Sequence, residues 1–267
     1  NYNKEEQTFT VKVADKNTAT VTITGLPDTV TYGQEFPLTA SQTGDTTSAN
    51  KKWTWDYDQE YFKRVGPNAN TETITLQAIK AGTPSKDITA TYESGTHKGS
   101  ATVNAVVEKK EVTVSGITAE NKEYDGGTTA TVNASGATIT GIVSGDSLTI
   151  TATGTFADAD VGNGKAVNLT LGALSGASAG NYKLAASGNQ TTATANITAK
   201  DVSISAATVN NKDYDGNANA TVNSVTIIGV SGALIMGTDF DVTSATFPDA
   251  DADTANVDVT INVALKG

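Results

Sequence analysis

Short runs in which apolar and polar residues alternate make up most of the chain. Clear examples lie at residues 112–114, 130–132, 148–150 and 167–171. Alternation over a few residues, bounded by Gly, Asn and Asp, is typical of half-buried antiparallel strands. Because no segment carries a sustained helical period, we predict an all-β protein.

The first part of the chain contains closely spaced strand patterns separated by turn sequences. Gly25, Pro27, Gly66 and Pro84 are among the residues that form these turns. Strands at this spacing indicate an immunoglobulin-like sandwich. The predicted strands are residues 8–13, 19–24, 35–40, 52–57, 72–78, 87–92 and 100–107.

The second part of the chain contains an internal repeat. Residues 112–134 recur as residues 202–224, at a constant offset of 90 residues. A second match follows in the same order, since GTFADAD at 154–160 recurs as ATFPDAD at 245–251. A period of about 90 residues suits an independent β-sandwich and is too long for a solenoid unit. We therefore predict tandem domains.

The repeated motif reads NKEYDGGTTAT at 121–131 and NKDYDGNANAT at 211–221, and it resembles the YDG repeat domain of large bacterial surface proteins. The second copy differs at residues 217–219, so its turn is expected to differ there. The first part of the chain resembles bacterial Ig-like domains, through TVTYGQEFPLTA at 29–40 and DITATYE at 87–93. Both resemblances imply an adhesin-like or spacer role, and neither implies catalytic residues.

These observations divide the chain into four segments. Residues 1–14 resemble the closing strand of a preceding unit, and residues 15–109 correspond to a bacterial Ig-like domain. Residues 110–200 form a first YDG-like repeat and residues 201–267 a second. By the repeat offset, the second lacks the counterpart of residues 177–200, and we expect it to be truncated and without its final strand. We hypothesise that the first strand supplies a missing edge between neighbouring copies by strand addition.

The predicted linkers, at residues 108–111 and 199–201, are short and charged. Such linkers allow little bending compared with Gly/Ser-rich tethers. We therefore predict tandem β-sandwich (Ig-like) domains arranged in an elongated, fairly stiff rod.

The chain is acidic, with a formal net charge of −11, and it has no cysteine. Neutralising phosphates requires Lys and Arg on one face, so the charge argues against a nucleic-acid partner. It argues equally against a polybasic membrane anchor. No apolar run approaches the length of a membrane-spanning helix, so we expect no membrane insertion.

The residue inventory offers little for catalysis. The single histidine, His97, lies in residues 95–99, which we interpret as a hairpin tip without a nearby nucleophile elbow. Zinc sites need several Cys or His ligands. Glycosidase chemistry needs two carboxylates flanking a cleft, whereas the carboxylates here lie in turn-like stretches. We therefore expect no enzymatic activity and no catalytic residues.

Acidic residues at alternate positions suggest one cation site. Asp249, Asp251 and Asp253 could supply part of the oxygen shell that calcium takes. The EF-hand pattern is absent, so an acidic, solvated turn is the other interpretation. We therefore expect no cofactor, with calcium at these residues as the alternative.

Three aromatic residues, Trp53, Trp55 and Tyr57, fall on one face of a predicted strand. Aromatic side chains in a row could form a platform for the rings of a carbohydrate. An inward-facing tryptophan is also common in sandwich cores, and both interpretations stay open at this point.

The YDG motif is interpreted as structural in both copies. Asp-Gly is a strong turn signal, because Asp accepts local backbone hydrogen bonds and Gly supplies a positive φ. The two tyrosines are expected to pack their rings and to bond through the hydroxyl, as in a tyrosine corner. A crosslink between Lys122 and Asn196 is an additional hypothesis for a chain without cysteine. The motif residues are Lys122, Tyr124, Asp125 and Gly126 in the first copy, and Lys212, Tyr214, Asp215 and Gly216 in the second.

The sequence therefore predicts a non-catalytic structural or adhesive stalk segment of a secreted or cell-surface bacterial protein. The alternative is a carbohydrate-binding or spacer module of a larger extracellular glycan-degrading enzyme. The expected partner is a host or environmental glycan or protein. The segment is expected to be monomeric or to self-associate weakly through its strands.

Overall fold

The computed structural model describes residues 15–46, 50–66, 71–230, 232, 234–250 and 257–266. Within these residues the chain forms 24 β-strands and one short 3₁₀ turn, Ala179–Asn181, and no α-helix. The all-β prediction is therefore confirmed. The predicted closing strand at residues 1–14 lies outside the described residues.

The described residues of the first part of the chain form ten strands. These strands are β1 (Asn17–Thr18), β2 (Thr20–Thr24), β3 (Val30–Thr31), β4 (Glu35–Thr43), β5 (Lys52–Asp56), β6 (Phe62–Val65), β7 (Thr73–Ala78), β8 (Ile88–Glu93), β9 (His97–Val103) and β10 (Val107–Glu108). Two four-stranded sheets result, with the orders β1-β9-β8-β5 and β2-β4-β7-β6. Strands β3 and β10 pair with each other in parallel.

The two four-stranded sheets form a sandwich because each strand turns alternate side chains into the core. In β4, Phe36, Leu38 and Ala40 are buried while the residues between them are exposed. Ile88 of the other sheet joins the same buried cluster as Phe36 and Leu38. The rings of Phe36 and Phe62 pack edge to face, with centroids 6.1 Å apart. The β-sandwich prediction is therefore confirmed.

Strand β6 has no counterpart among the predicted strands. Its sequence, Phe62-Lys63-Arg64-Val65, places only one residue, Phe62, in the core, so alternation gives no signal. The strand is held by pairing with β7, where Phe62 lies opposite Ala78. Its position therefore depends on a sheet that is already formed.

The described residues from 110 to 200 form three sheets. Their strands are β11 (Lys110–Ser115), β12 (Thr118–Ala119), β13 (Lys122–Glu123), β14 (Thr129–Ala130), β15 (Val132–Asn133), β16 (Thr138–Thr140), β17 (Thr149–Phe156), β18 (Gly162–Ser175), β19 (Tyr182–Leu184) and β20 (Thr192–Thr198). The sheet orders are β16-β11-β19, β12-β15 and β13-β20-β18-β17-β14.

The predicted linker at residues 108–111 is taken up by strands. Glu108 belongs to β10, which pairs with β3, and β11 begins at Lys110. Only Lys109 lies between these two strands. Lys110 in turn lies opposite Tyr182 of β19. The backbone is paired on both sides of Lys109, so this segment is not a free tether.

The last described residues form two hairpin-like pairs. The strands are β21 (Ser203–Val209), β22 (Val222–Ile228), β23 (Phe240–Thr246) and β24 (Thr260–Leu265). Strand β21 pairs with β22, and β23 pairs with β24, both in antiparallel fashion. Val225, Ile227 and Phe240 are buried together in this part of the chain.

The chain divides into two compact units. The first consists of Asn1–Gly116, Ala134–Thr151 and Gly172–Gln190, and the second of Ile117–Asn133, Ala152–Leu171 and Thr191–Gly267. Residues 110–200 therefore contribute to both. In the first unit, a single buried cluster contains Val30 and Phe36 together with Val112, Leu148 and Tyr182. Residues before and after position 109 thus share one continuous core, although the predicted domain boundaries themselves stay predictions.

Candidate functional site

Three hydroxyl side chains of the first unit converge on the carboxylate of Asp146. We call Tyr32, Asp146, Ser178 and Tyr182 the junction cluster. Tyr32 directly follows β3, and Tyr182 is the first residue of β19. Asp146 is held in a turn, where its backbone N–H donates to the Val143 carbonyl at 3.1 Å. Ser178 immediately precedes the 3₁₀ turn. Each member therefore lies at the end of an element or in a tight turn, where the backbone fixes its direction.

The Asp146 carboxylate accepts three hydroxyl hydrogen bonds. The Tyr32 hydroxyl donates to Oδ2 at 2.8 Å, and the Tyr182 hydroxyl donates to the same oxygen. The Ser178 hydroxyl donates to Oδ1 at 2.7 Å. The Tyr182 oxygen also accepts a hydrogen bond from the Val143 amide at 2.9 Å. The rings of Tyr32 and Tyr182 pack edge to face with centroids 5.3 Å apart, so the cluster is both hydrogen-bonded and packed.

The hydrogen bonds of the junction cluster set its protonation state. Burial opposes ionisation of Asp146, but the bonds from Tyr182, Ser178 and Tyr32 hold the pKa of this carboxyl below its usual value. Burial and the adjacent carboxylate raise the pKa of both Tyr182 and Tyr32. The phenols therefore stay protonated and act as donors while Asp146 is ionised.

The junction cluster joins residues on opposite sides of position 109. Tyr32 comes from the predicted Ig-like segment, and its three partners come from the segment that follows. A second hydrogen bond crosses the same boundary, from the Ala81 amide to the Asn181 side-chain oxygen at 2.9 Å. Gly33 has a φ of +82°, and a Cβ added there would lie 2.5 Å from Cγ2 of Val143. Glycine thus permits a backbone approach that any side chain would obstruct.

The first occurrence of the repeated motif forms a turn closed by a lysine, which we call the first motif turn (residues 122–129). Lys122 Nζ donates to Asp125 Oδ1 at 2.6 Å and to the Gly127 carbonyl at 2.7 Å. Asp125 Oδ1 also accepts the Gly127 amide at 2.8 Å. Gly126 adopts a φ of +77°, as the Asp-Gly signal predicts. The hydrogen bond from Lys122 and the Gly127 amide hold the pKa of Asp125 below its usual value.

The second motif turn, residues 212–219, repeats this arrangement. Lys212 Nζ lies 2.6 Å from Asp215 Oδ1 and donates to the Asn217 carbonyl at 2.7 Å. The Asn217 amide donates to Asp215 Oδ1, and Gly216 has the same φ of +77°. The expected difference at residues 217–219 is confined to side-chain contacts, because the backbone of the turn is the same in both copies. Lys212 donates to the backbone carbonyls of residues 217 and 219, as Lys122 does to those of 127 and 129. The Asn217 side-chain oxygen adds two contacts that Gly127 cannot make, since it accepts Lys212 Nζ at 3.0 Å and the Asn219 amide at 2.9 Å.

The motif tyrosines do not behave as predicted. Tyr124 is 39% exposed and Tyr214 is 69% exposed, so neither ring is buried. Neither hydroxyl has a hydrogen bond to another residue that the structure describes. The predicted tyrosine-corner role is therefore wrong, because the lysine already closes each turn. Tyr124 is anchored instead by its backbone, whose N–H donates to the Thr198 carbonyl at 2.9 Å.

The hypothesised crosslink between Lys122 and Asn196 is not supported by the geometry. The Lys122 amine donates to Asp125, and the Asn196 side-chain oxygen accepts the Gly164 amide at 2.7 Å. Each group is therefore directed to a different partner.

The three aromatic residues of the predicted carbohydrate platform differ in burial, and none of them is fully exposed. Trp53 is only 3% exposed and packs against Tyr92, with ring centroids 5.0 Å apart. Trp55 and Tyr57 are half-buried against the main core cluster of the first unit. Trp55 Nε1 donates to the Thr71 carbonyl at 3.1 Å. These contacts favour the core interpretation over an open platform.

A buried carboxylate that the sequence did not indicate lies near the single histidine. Asp45 accepts hydrogen bonds from the Tyr92 hydroxyl at 2.7 Å and from Ser94 Oγ at 2.6 Å. Nδ1 of His97 lies 3.6 Å from the other carboxylate oxygen. Ser94 Oγ accepts the backbone amide of His97 at 3.1 Å. Because Ser94 donates directly to Asp45, the group resembles a structural network and not a nucleophile with its base.

The predicted calcium site falls mostly on residues that the structure does not describe. Asp249 is described, whereas Asp251 and Asp253 lie outside the described residues. Within the described ranges, no group of three or more His, Cys, Asp or Glu side chains is arranged to hold a metal ion. These described residues also include no helix that is long and apolar enough to cross a membrane.

Comparisons with known proteins identify one family. A model of the YDG domain matches residues 108–193, so this part of the chain contains a YDG domain. No curated protein matches the chain. Among solved structures, the chain is similar to the three N-terminal domains of the highly immunogenic outer capsid protein (Hoc) of bacteriophage RB49. That similarity has 15% identity over 87% of this chain and 84% of the other, with a TM-score of 0.28. The chain is also similar to the I9-I11 tandem of titin, with 14% identity over 68% of this chain and 66% of the other and a TM-score of 0.21.

The first motif turn generates a prediction about Lys122. Replacing Lys122 by Met removes the donor shared by Asp125, Gly127 and Thr129 while keeping the aliphatic stem. We expect the melting temperature to fall by about 4–8 °C, the shift that loss of one net hydrogen bond causes in a small domain. Hydrogen exchange of the Gly127 amide should also accelerate. Lys109→Met, at an exposed lysine, is the matched control, and equal melting temperatures for the two variants would contradict the prediction.

Proposed function

We propose that this chain is a non-catalytic structural or adhesive stalk segment of a secreted or cell-surface bacterial protein. In this proposal a bacterial Ig-like domain at residues 15–109 is followed by two YDG copies, at residues 110–200 and 201–267. The observation that carries the proposal is the junction cluster, which ties the first segment to the YDG domain. A stalk needs such a connection, because it must hold whatever it carries at a distance from its anchor.

The geometry at position 109 supports a stiff connection. A shared core, the Tyr32–Asp146 hydrogen bond and the Ala81–Asn181 hydrogen bond all cross the boundary. Bending there would expose apolar surface and would leave the Tyr32 hydroxyl without its acceptor. Each such loss costs free energy, at about 1–3 kcal/mol for an unsatisfied buried hydroxyl. A single residue, Lys109, is available to absorb a change of direction.

The proposal of a second YDG copy is supported by equivalent backbone contacts. The Glu120 amide donates to the Thr131 carbonyl, and the Asn210 amide donates to the Thr221 carbonyl. Residues 210 and 221 each lie 90 positions after their counterparts, residues 120 and 131. The two motif turns share the same lysine contacts and the same glycine φ. These features extend the repeat from sequence to local structure.

The alternative, a carbohydrate-binding module of a larger extracellular glycan-degrading enzyme, has less support. Its expected platform is interrupted, because Trp53 is buried and the Trp55 indole N–H is bonded to the backbone. A host or environmental glycan or protein is therefore proposed as the target of the molecule that the stalk presents. The net charge of −11 gives no support to a nucleic-acid partner.

Stiffness at the junction can be measured from the width of the distance distribution between two spin labels, one on each side of position 109. The chain has no cysteine, so a chain carrying Lys63→Cys and Ser147→Cys can be labelled at these two positions alone, without removing a native cysteine. We expect a narrow distance distribution, and a broader one when Asp146→Ala leaves the hydroxyls of Tyr32 and Tyr182 without an acceptor. Asp28→Ala, at an exposed position, is the control and should leave the distribution unchanged. A distribution that is already broad in the parent protein would contradict a stiff stalk.

The junction should also respond to acid. The pKa of Asp146 is lowered in the folded protein, so its contribution is complete above the ordinary value of 3.8 and is lost as the pH falls through the lower, folded value. We therefore expect the spin-label distribution to broaden only below pH 3.8. Asp58 and Glu93 also have lowered pKa values, so the comparison must be made with Asp146→Asn. An acid transition of equal size in that variant would show that Asp146 is not its source.

The proposed location is tested on the cells that produce the protein. Antibodies raised against the chain should label intact cells or appear in the culture medium. Labelling that requires permeabilised cells would contradict a secreted or cell-surface role, whatever the stiffness of the junction.

A further inference from the structure

One side of the first sandwich is closed by a stretch of chain that belongs to both of its sheets. Strand β1 pairs with β9, and after Ala19 the chain continues as β2, which pairs with β4. A Cβ added at Gly99 of β9 would lie 2.0 Å from the Ala19 carbonyl oxygen, so the crossing chain lies directly against that sheet. A further strand is therefore not expected on this side.

The opposite side of the sandwich ends in β5 and β6, and β5 is an open edge. Strand β5 pairs with β8 along its whole length, from Lys52 to Asp56. None of the residues that the structure describes pairs with its other side. An open edge presents backbone N–H and C=O groups with which another strand can pair.

The side chains of β5 alternate between the core and the outer face of the sheet. Trp53 is buried and Trp55 is half-buried, whereas Lys52, Thr54 and Asp56 are exposed. A strand added beside β5 must therefore match two tryptophans on one face and two opposite charges on the other.

The outer face carries a row of charges that ends at this edge. Lys98 of β9 lies opposite Glu93 of β8, and Glu93 lies opposite Lys52. The signs alternate along the row, so an acidic residue beyond Lys52 would continue it. Opposite charges directly across two strands stabilise their pairing, and like charges destabilise it.

The sequence of β5 itself supplies that acidic residue when two copies of the strand pair antiparallel. With Thr54 opposite its own copy, Lys52 lies opposite Asp56 of the second copy, and Trp53 lies opposite Trp55 of the second copy. Each of these pairs occurs twice, because a two-fold interface uses the same patch on both molecules. Asp56 already forms an ion pair with Lys86 of its own chain at 2.5 Å, so its carboxylate would then lie between two cations.

The neighbouring edge strand, β6, is less suited to pairing with its own copy. Antiparallel pairing centred on either of its middle residues sets Lys63 against Lys63 or Arg64 against Arg64. Like charges placed opposite each other disfavour such pairing. Of the two edges on this side, β5 is thus the one whose charges favour a second copy.

We propose that β5 is a self-association edge, through which two molecules pair β5 to β5 in antiparallel fashion. The occupant of the edge is a second copy of this chain, and the two four-stranded sheets join into one of eight strands. Main-chain hydrogen bonds hold the strands together, and the Lys52–Asp56 pairs fix the register. The dimer links two molecules through the first segment, whether or not the chain serves as a stalk.

Charge reversal in the full chain tests this edge through its mass in solution. We expect the mass measured by light scattering to rise with concentration from one chain towards two. Lys52→Asp and Asp56→Lys each set like charges opposite each other twice per dimer, and each should raise the dissociation constant about tenfold. The double variant restores opposite charges and should recover association, whereas Lys109→Asp, at an exposed lysine away from the edge, should have no effect. A parent chain that stays monomeric up to about 1 mM, a double variant as weak as the single ones, or an equal effect of Lys109→Asp would overturn the proposal.

Disulfide crosslinking tests the register without changing a charge. In the proposed dimer the two copies of residue 54 lie opposite each other, with Cβ atoms about 4.5–5.5 Å apart. Because the chain has no cysteine, Thr54→Cys should form a disulfide-linked dimer when treated with a mild thiol oxidant. Thr91→Cys is the matched control, since Thr91 is exposed on the same face and lies opposite Thr54, one strand further from the edge. Its two copies would be three strand spacings apart, about 14 Å, which is too far for a disulfide. Equal crosslinking of the two variants, or none in Thr54→Cys, would contradict the proposed pairing and would leave the stalk function to be judged by the spin-label distances.

Discussion

The sharing of one carboxylate is the interaction on which the first unit depends. Tyr32 and Asp146 lie 114 residues apart in the sequence, and their hydrogen bond connects the segment before position 109 with the one after it. Asp146 is half-buried, and its ionised carboxylate is stabilised by the three hydroxyl donors Tyr32, Ser178 and Tyr182. All three hydrogen bonds to Asp146 form only when both segments are in place. The stability of each segment therefore depends on the position of the other.

Local sequence is enough to predict the alternating strands and the Asp-Gly turns, but not a strand such as β6 that buries a single residue. Strand β4 is recognisable because Phe36, Leu38 and Ala40 alternate with polar residues, and an Asp-Gly pair needs little else to form its turn. The junction cluster could not be predicted in this way. Nothing in the sequence around Tyr32 indicates that its acceptor is Asp146, because a hydrogen bond between distant residues has no local periodicity. The buried Asp45 is hidden for the same reason, since its partners Tyr92 and Ser94 are brought to it by the sandwich.

The motif tyrosines show how burial can depend on a neighbouring segment. Tyr32 and Tyr124 occupy equivalent backbone positions, since the first donates its N–H to the Glu108 carbonyl and the second to the Thr198 carbonyl, each at 2.9 Å. Tyr32 is 8% exposed because Tyr182 packs on its ring, while Tyr124 is 39% exposed. The lysine of the motif fixes the backbone of the turn, whereas burial of the tyrosine ring depends on the segment that packs against it. The motif sequence alone therefore does not determine whether its tyrosine ring is buried.

The parallel pairing of β3 and β10 bears on how a pulling force would pass through the chain. Strand β10 continues into β11 after one residue, so tension arriving from the later part of the chain acts along the length of β10. The hydrogen bonds to β3, together with the bond from the Tyr32 amide to Glu108, lie across that direction. In parallel strands loaded in this way, the bonds are sheared together and are not opened one after another. A force applied along the chain would therefore load this short parallel pair in shear, at the point where the first segment meets the YDG domain.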